Sequence, residues 1–160
     1  MSNVERLTLV TALEEQSAKQ WRVAPVHMKL LPWFHTENVD KVAAAIDDVT
    51  DTHRPLTAIG EGVTLLGEIP NAARLIGDYA TLRAFHDDLH DAVAPHVMFE
   101  KPHFVSNGYL PHVSVQPHGI RGIRRGEAFH IEELQLAQST PEAITIRRRY
   151  RLQEPHETTA

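Results

Sequence analysis

The chain contains no cysteine, which excludes disulfides, thiolate metal sites and cysteine nucleophiles together. It has no apolar run of membrane-spanning length, and no charged segment leads into an apolar one at its start. A soluble cytosolic protein without a membrane partner is therefore expected. Positive charge is also scarce: 16 lysines and arginines against 21 acids leave a formal net charge of −5. Long duplex nucleic acid would meet no general basic surface, so any nucleic-acid ligand must be small or gripped locally. The acids form no carboxylate cluster of the kind a two-metal nuclease needs. The glycines of residues 118–126 (HGIRGIRRG) match neither the P-loop nor the dinucleotide fingerprint. What remains is an ordinary globular composition, 42% hydrophobic and 23% charged, over 160 residues. That length suits one domain with a sizeable core. Residues 1–153 are expected to form a single domain, 154–160 a frayed tail, and the whole a monomer.

Histidine is plentiful, with eleven in the chain, and two of them stand in matching surroundings. Pro111-His112-Val113-Ser114-Val115 reads as a strand, because Val113 and Val115 alternate with His112 and Ser114 and successive strand side chains point to opposite faces. Alone, this stretch fits a hydrogen-bonded core histidine better than a site. About half a chain earlier, Pro25-Val26-His27-Met28-Lys29-Leu30-Leu31 repeats the pattern of upstream proline, histidine, apolar, polar, apolar. Two such strands, one per half, suggest two lobes presenting two imidazoles to one cleft.

Periodicity orders the remainder. Residues 7–12 read as a strand, 13–21 as a polar loop or short helix, and the His27 strand is expected to end at Pro32. Thr36 is placed to cap a helix running to about Asp51, with Val39, Val42, Ala43, Ile46 and Val49 on one face. Residues 56–66 read as a strand broken at Gly60 and Gly62, and 70–78 as a loop or short helical turn. A second amphipathic helix covers 81–94, with Leu82, Phe85, Leu89 and Val93 inward. A strand and a hairpin turn at Asn107-Gly108 are expected before His112. An alternating strand over 128–138 has one break in phase. A turn at Thr140-Pro141 leads to a last strand over 144–152. Two helices with seven or eight strands make an α+β fold with antiparallel sheets.

With these residues in view, the chain resembles the two-histidine (2H) phosphoesterases, the group that contains bacterial RNA 2′,3′-cyclic phosphodiesterases, the so-called 2′-5′ RNA ligases. Tyr109-Leu110-Pro111-His112-Val113-Ser114-Val115 is similar to that family's aromatic-x-Pro-His-x-Thr motif. His27-Met28-Lys29-Leu30, with Pro32 and Phe34 downstream, is similar to its His-x-Thr-Leu motif. The resemblance covers nearly the whole chain and implies two pseudo-symmetric lobes, with antiparallel sheets facing a central cleft and helices packed outside. Lys29 departs from the pattern, standing where the family carries Thr or Ser.

The chemistry can be argued from the residues themselves. Cleaving a phosphodiester needs an activated water or hydroxyl on one side of phosphorus and a protonated leaving oxygen on the other. Histidine, with an ordinary pKa of about 6.5, serves either role at neutral pH. His27 and His112 are thus candidates for general base and acid. Lys29 and Ser114, two residues on, share their histidines' faces and are candidates to bind phosphoryl oxygens. Lys29 is expected to oppose protonation of His27, biasing the two histidines apart. The scheme requires neither metal nor cofactor.

Other candidates carry a plain alternative. His86 and His90 stand at metal-ligand spacing on the second helix but fit a solvated face. Lys101-Pro102-His103 is expected to be loop. Arg121, Arg124 and Arg125 are candidates to clamp a second phosphate, or belong to an exposed loop. Arg147, Arg149 and Arg151 share a face of the last strand and either grip substrate in the cleft or guard an edge. Trp21, Trp33, Phe34 and Tyr109 lie near the motifs and can stack a base or fill the core.

The expectation is a metal-independent phosphodiesterase acting on a 2′,3′-cyclic phosphate or 2′-linked phosphodiester of RNA or an oligonucleotide, with a small nucleotide or oligonucleotide as its partner. The site residues are His27 and His112, Lys29 and Ser114, with Trp33, Tyr109, Arg121, Arg124 and Arg149 as candidates for binding the rest of the substrate. The alternatives are a phage-type hydrolase of cyclic oligonucleotide signals and a nucleotide-binding module with an impaired site.

Overall fold

The computed structural model describes residues 3–13, 19–21, 26–66, 71–77, 80–114 and 123–153. Along these run β1 (Glu5–Ala12), β2 (Gln20–Trp21), β3 (His27–Thr36), α1 (Val39–Thr50), β4 (Leu56–Leu66), β5 (Asn71–Gly77) and α2 (Ala80–Val93). They continue with β6 (Met98–Phe99), β7 (His112–Ser114), β8 (Ala128–Ile131), β9 (Glu133–Ser139) and β10 (Ile144–Arg151). The strands form one antiparallel sheet in the order β2-β10-β9-β1-β3-β7-β5-β4-β8, with β6 paired to β3. Both helices bury their apolar stripes in the same core, Val42 and Ile46 from α1 beside Leu82, Phe85 and Leu89 from α2. They therefore cover one side of the sheet and leave the other for a cleft. No described helix is long and apolar enough to cross a membrane. The α+β reading with antiparallel strands holds.

The sheet curls strongly. β8 lies at one end of the strand order and β9 near the other, yet only Glu132 separates them in the chain. Glu132 is the phase break within residues 128–138. One expected strand is two, each belonging to a different half of the sheet.

Several boundaries depart from expectation for local reasons. β3 runs through Pro32 to Thr36. It passes Leu7↔Phe34 and Leu9↔Leu31 with a shift of register against β1, so Pro32 sits at a bulge where its missing N–H breaks no ladder bond. The Thr8 hydroxyl donates to the Leu31 carbonyl there at 2.6 Å. The irregularity also lets the consecutive Leu30 and Leu31 both be fully buried. The cap of α1 is Asn38, whose side-chain oxygen accepts the Lys41 N–H at 3.1 Å. Thr36 instead donates to the His96 carbonyl and accepts from the Asn38 N–H. Residues 71–77, expected as a loop or helical turn, form β5 between β4 and β7. Asn107-Gly108 closes no hairpin and belongs to a short 3-10 turn, Ser106–Gly108. β4 bulges between Gly60 and Val63, where the glycines break the pattern. The 154–160 tail and the Arg121 portion of the glycine-arginine loop lie outside the described residues.

Candidate active site

The site is set by the seam between β3 and β7. Met28 is paired with Val113, and both are buried in the core beneath the helices. Alternation then turns His27, Lys29, His112 and Ser114 to the helix-free side. The antiparallel register puts Lys29 opposite His112 and His27 opposite Ser114, with facing Cβ atoms roughly 4.5–5.5 Å apart. The two motifs thus lie side by side at the centre of the sheet. Lys29 is consequently as much a neighbour of His112 across the seam as of His27 along its own strand.

On this side opens a cleft of about 460 Å³ lined by His112, Ser114, Lys29, Trp33 and Tyr109, together with a charged flank of Arg6, Glu100 and Lys101 and the apolar Leu66, Phe104 and Leu110, with Lys101 Nζ 5.8 Å from the centre of the Phe104 ring. His27 is half-buried at the start of β3. His112 Nδ1 lies 2.8 Å from the Leu110 carbonyl. A carbonyl only accepts, so Nδ1 carries the proton and Nε2 is left to take or give one.

The charged flank was not legible in the sequence, because its residues come from three distant segments. The Arg6 guanidinium lies 4.0 Å over the Trp33 ring, and both its Nε and Nη2 donate to the Glu100 carboxylate. His35 Nε2 lies 3.0 Å from the same carboxylate. The hydrogen bond from Arg6, chiefly, holds Glu100 below the ordinary carboxylate value. Lys29 Nζ stands 5.6 Å from the centre of the Trp33 ring. Burial first, then the charge of Arg6, lowers the Lys29 pKa; Lys101 adds to this and Glu100 opposes it. Trp33 thus has Arg6 over its ring, and its best-defined role is to seat that guanidinium.

Tyr109 and His86 form the support beneath. Their rings stack with centroids 3.8 Å apart and 3° between planes, and the Tyr109 hydroxyl donates to the Lys29 carbonyl at 2.8 Å. His86 was expected on a solvated helix face but is fully buried. Its Nδ1 donates to the Leu30 carbonyl at 2.6 Å, and its Nε2 accepts the Ser106 N–H at 2.9 Å. Both nitrogens are engaged, so His86 and His90 are no ligand pair. Burial above all pushes the His86 pKa down, fixing the neutral ring these two bonds require. Ser106 has φ 55°, a left-handed conformation rare for serine, and its N–H is the group His86 holds. Close by, Gly108 leaves no room for a side chain, since a Cβ there would lie 1.7 Å from the His103 carbonyl oxygen. Tyr109 therefore serves the cleft chiefly through the backbone it braces.

Other candidates lie elsewhere. Arg149 donates to Glu133 at 2.7 Å, Arg148 to Asp47 at 3.0 Å and Arg147 to Gln138, so these charges are committed along β10 and toward α1. The β10 register shifts between Ile146 and Arg148, which explains why Arg148 interrupts the apolar face. Arg124 is exposed in the turn that packs on Gly60. Trp21 is buried against Val10 and Ala137, and Phe34 is core.

No family model and no curated protein matches the chain. Solved structures do. The crystal structure of TT0787 of Thermus thermophilus is 15% identical, with a TM-score of 0.64, 94% of this chain covered and 100% of that one. A phosphoesterase is 13% identical at the same TM-score, with 94% and 99% covered. E. coli LigT, complexed with 3′-AMP, is 12% identical at 0.64, with 95% and 100% covered. The fold is that of the two-histidine phosphoesterases. β3 and β7 carry His27 and His112, and β1 and β5 flank them in equivalent places on either side of the seam.

Proposed function

We propose that the chain is a metal-independent 2H phosphodiesterase that hydrolyses a 2′,3′-cyclic phosphate or 2′-linked phosphodiester of RNA or an oligonucleotide. The observation that carries this reading is the Met28↔Val113 register, which turns His27, Lys29, His112 and Ser114 to one side of the sheet, where Lys29, His112 and Ser114 line the cleft and His27 stands at the start of the same strand as Lys29. One histidine takes a proton from water as its oxygen attacks phosphorus. The other gives a proton to the departing ribose oxygen, so the cyclic diester becomes a monoester. Such proton transfers are typically worth about 10²–10⁴ in rate each. The Ser114 hydroxyl donates to a phosphoryl oxygen as charge develops on it. The bond from His112 Nδ1 to Leu110 fixes the ring so that Nε2 is the working nitrogen. The solved LigT complexes with 3′-AMP and with phosphate agree with a cleft for small phosphate ligands.

The test is incubation with nucleoside 2′,3′-cyclic phosphates and a cyclic dinucleotide panel, with EDTA present. Hydrolysis of the 2′,3′-cyclic phosphates is the expected result. Turnover confined to cyclic dinucleotides would reassign the substrate. Binding without turnover of either set would make the chain a nucleotide-binding module.

A further inference from the structure

We propose that the cleft holds a second phosphate beside the reacting one, on Arg6, Lys29 and Lys101, so that the preferred substrate is an oligonucleotide rather than a mononucleotide. The inference rests on the phosphodiesterase reading and extends it to substrate length. Three cationic side chains and one carboxylate, Glu100, line this flank, a formal surplus of two positive charges. A single cyclic phosphodiester brings one negative charge and is already served by the histidines and Ser114. Lys29 leans toward Trp33, and the charges that act on it are those of Arg6, Glu100 and Lys101. Its ammonium therefore belongs to this flank.

The flank is also built to stay open. Arg6 stands over Trp33 and is held through Nε and Nη2, which leaves Nη1 for a ligand. Glu100 is itself placed by its own backbone, whose N–H donates to the Trp33 carbonyl at 3.1 Å. Lys101 follows directly and is exposed, so it can close over an incoming anion. Placing like charges together in a partly buried flank is unfavourable without a ligand and is relieved when a phosphate arrives. On β3, Lys29 is two residues from His27 and opposite His112. From there its Nζ reaches to within 5.6 Å of the centre of the Trp33 ring, where Arg6 stands, so it can meet a phosphate beside the one at the histidines.

The experiment compares two uncleavable dinucleotide 3′-phosphates of 2′-deoxy sugars, identical except that one has an ordinary internucleotide phosphate and the other a neutral methylphosphonate. Each is titrated calorimetrically into the wild-type chain and into Lys101→Gln, with thermal unfolding confirming that the variant is folded. The charged ligand is expected to bind about tenfold or more tightly in the wild type, as for one or two charge-assisted bonds. That preference should fall severalfold in Lys101→Gln. Equal affinities in the wild type, an unchanged preference in the variant, or no binding of either ligand each overturn the inference. Turnover of a 2′,3′-cyclic mononucleotide, assayed in parallel, reports on the two-histidine reading separately. A chain that hydrolyses it but ignores the linkage charge keeps that reading and loses this one.

Discussion

The two halves of the sheet meet at the β3/β7 seam and are built differently. On the β1 side, β1, β3, β9 and β10 have seven to ten residues each and pair over long stretches, and Leu7, Leu9, Leu30, Leu31, Leu134 and Leu136 are fully buried. On the other side, β4 is bulged at its glycines, and Ile59, Val63 and Leu65 are 42, 50 and 66% exposed. β8 covers β4 only as far as Ile59. One motif strand is therefore sunk in a continuous core. Among the described residues, the other is held by β5, by the Pro111 carbonyl and by the Met28↔Val113 pairing to β3. The fully buried leucines of the sheet are concentrated in one half, while the proposed chemistry draws one histidine from each.

That contrast can be broken by substitution. His27→Ala and His112→Ala should each lower turnover at least about 10²-fold with the unfolding transition preserved. The double variant should lose far less than the product of the two, because the pair acts as a unit. If His27→Ala were silent, the chemistry would belong to the β7 half alone.

A stability measurement sharpens it further. Met28 is fully buried and Leu65 two-thirds exposed. Met28→Ala should cost about 2–5 kcal/mol in urea unfolding, and Leu65→Ala should stay within about 0.5 kcal/mol. Equal losses would show that the exposed half is as tightly coupled as the buried one.

The smallest effect concerns His86, which ties β3 to the loop leading to β7. Its folded pKa lies below the ordinary value, so the unfolded chain binds the proton more readily. Its contribution to stability is intact above about pH 6.5 and is lost as pH falls through and below that value. Urea midpoints measured at pH 7.5 and 5.5 should drop more in the wild type than in His86→Gln, which has no ring to titrate. Parallel drops would place the acid sensitivity in other histidines.

The residues most visible in the sequence were those whose pattern is local. His27 and His112 announce themselves by repeated motifs, and the helical stripes of α1 and α2 follow from their spacing. What stayed hidden depends on partners far along the chain. Pro32 looks like a strand end until β1 supplies the bulge that tolerates it. Asn71–Gly77 has the short, small-residue look of a loop, and becomes a strand because β4 and β7 flank it. Arg6, Glu100 and Lys101 belong to no motif and meet only because β3 pairs with both β1 and β6. His86, at i, i+4 from His90, suggested a solvated face, whereas the carbonyl of Leu30 and the N–H of Ser106 make it an interior tie. Tyr109 reads as a base platform, but its ring is already stacked on that histidine.

The single residue between β8 and β9 also dictates an order of events during synthesis. β4, β5 and β7 are all in hand once residue 114 has been made, and α2 lies between them in the chain. β1 waits: its second neighbour, β9, pairs through residues 135–138. Until those residues leave the ribosome, β1 carries its buried Leu7 and Leu9 with one edge unpaired, a template for unwanted strand addition. Three strands of the sparser half are thus available for assembly early, β8 joins them late, and the better-buried half closes last. A ribosome stalled before residue 135 would hold a nascent chain with one strand edge open to every neighbour.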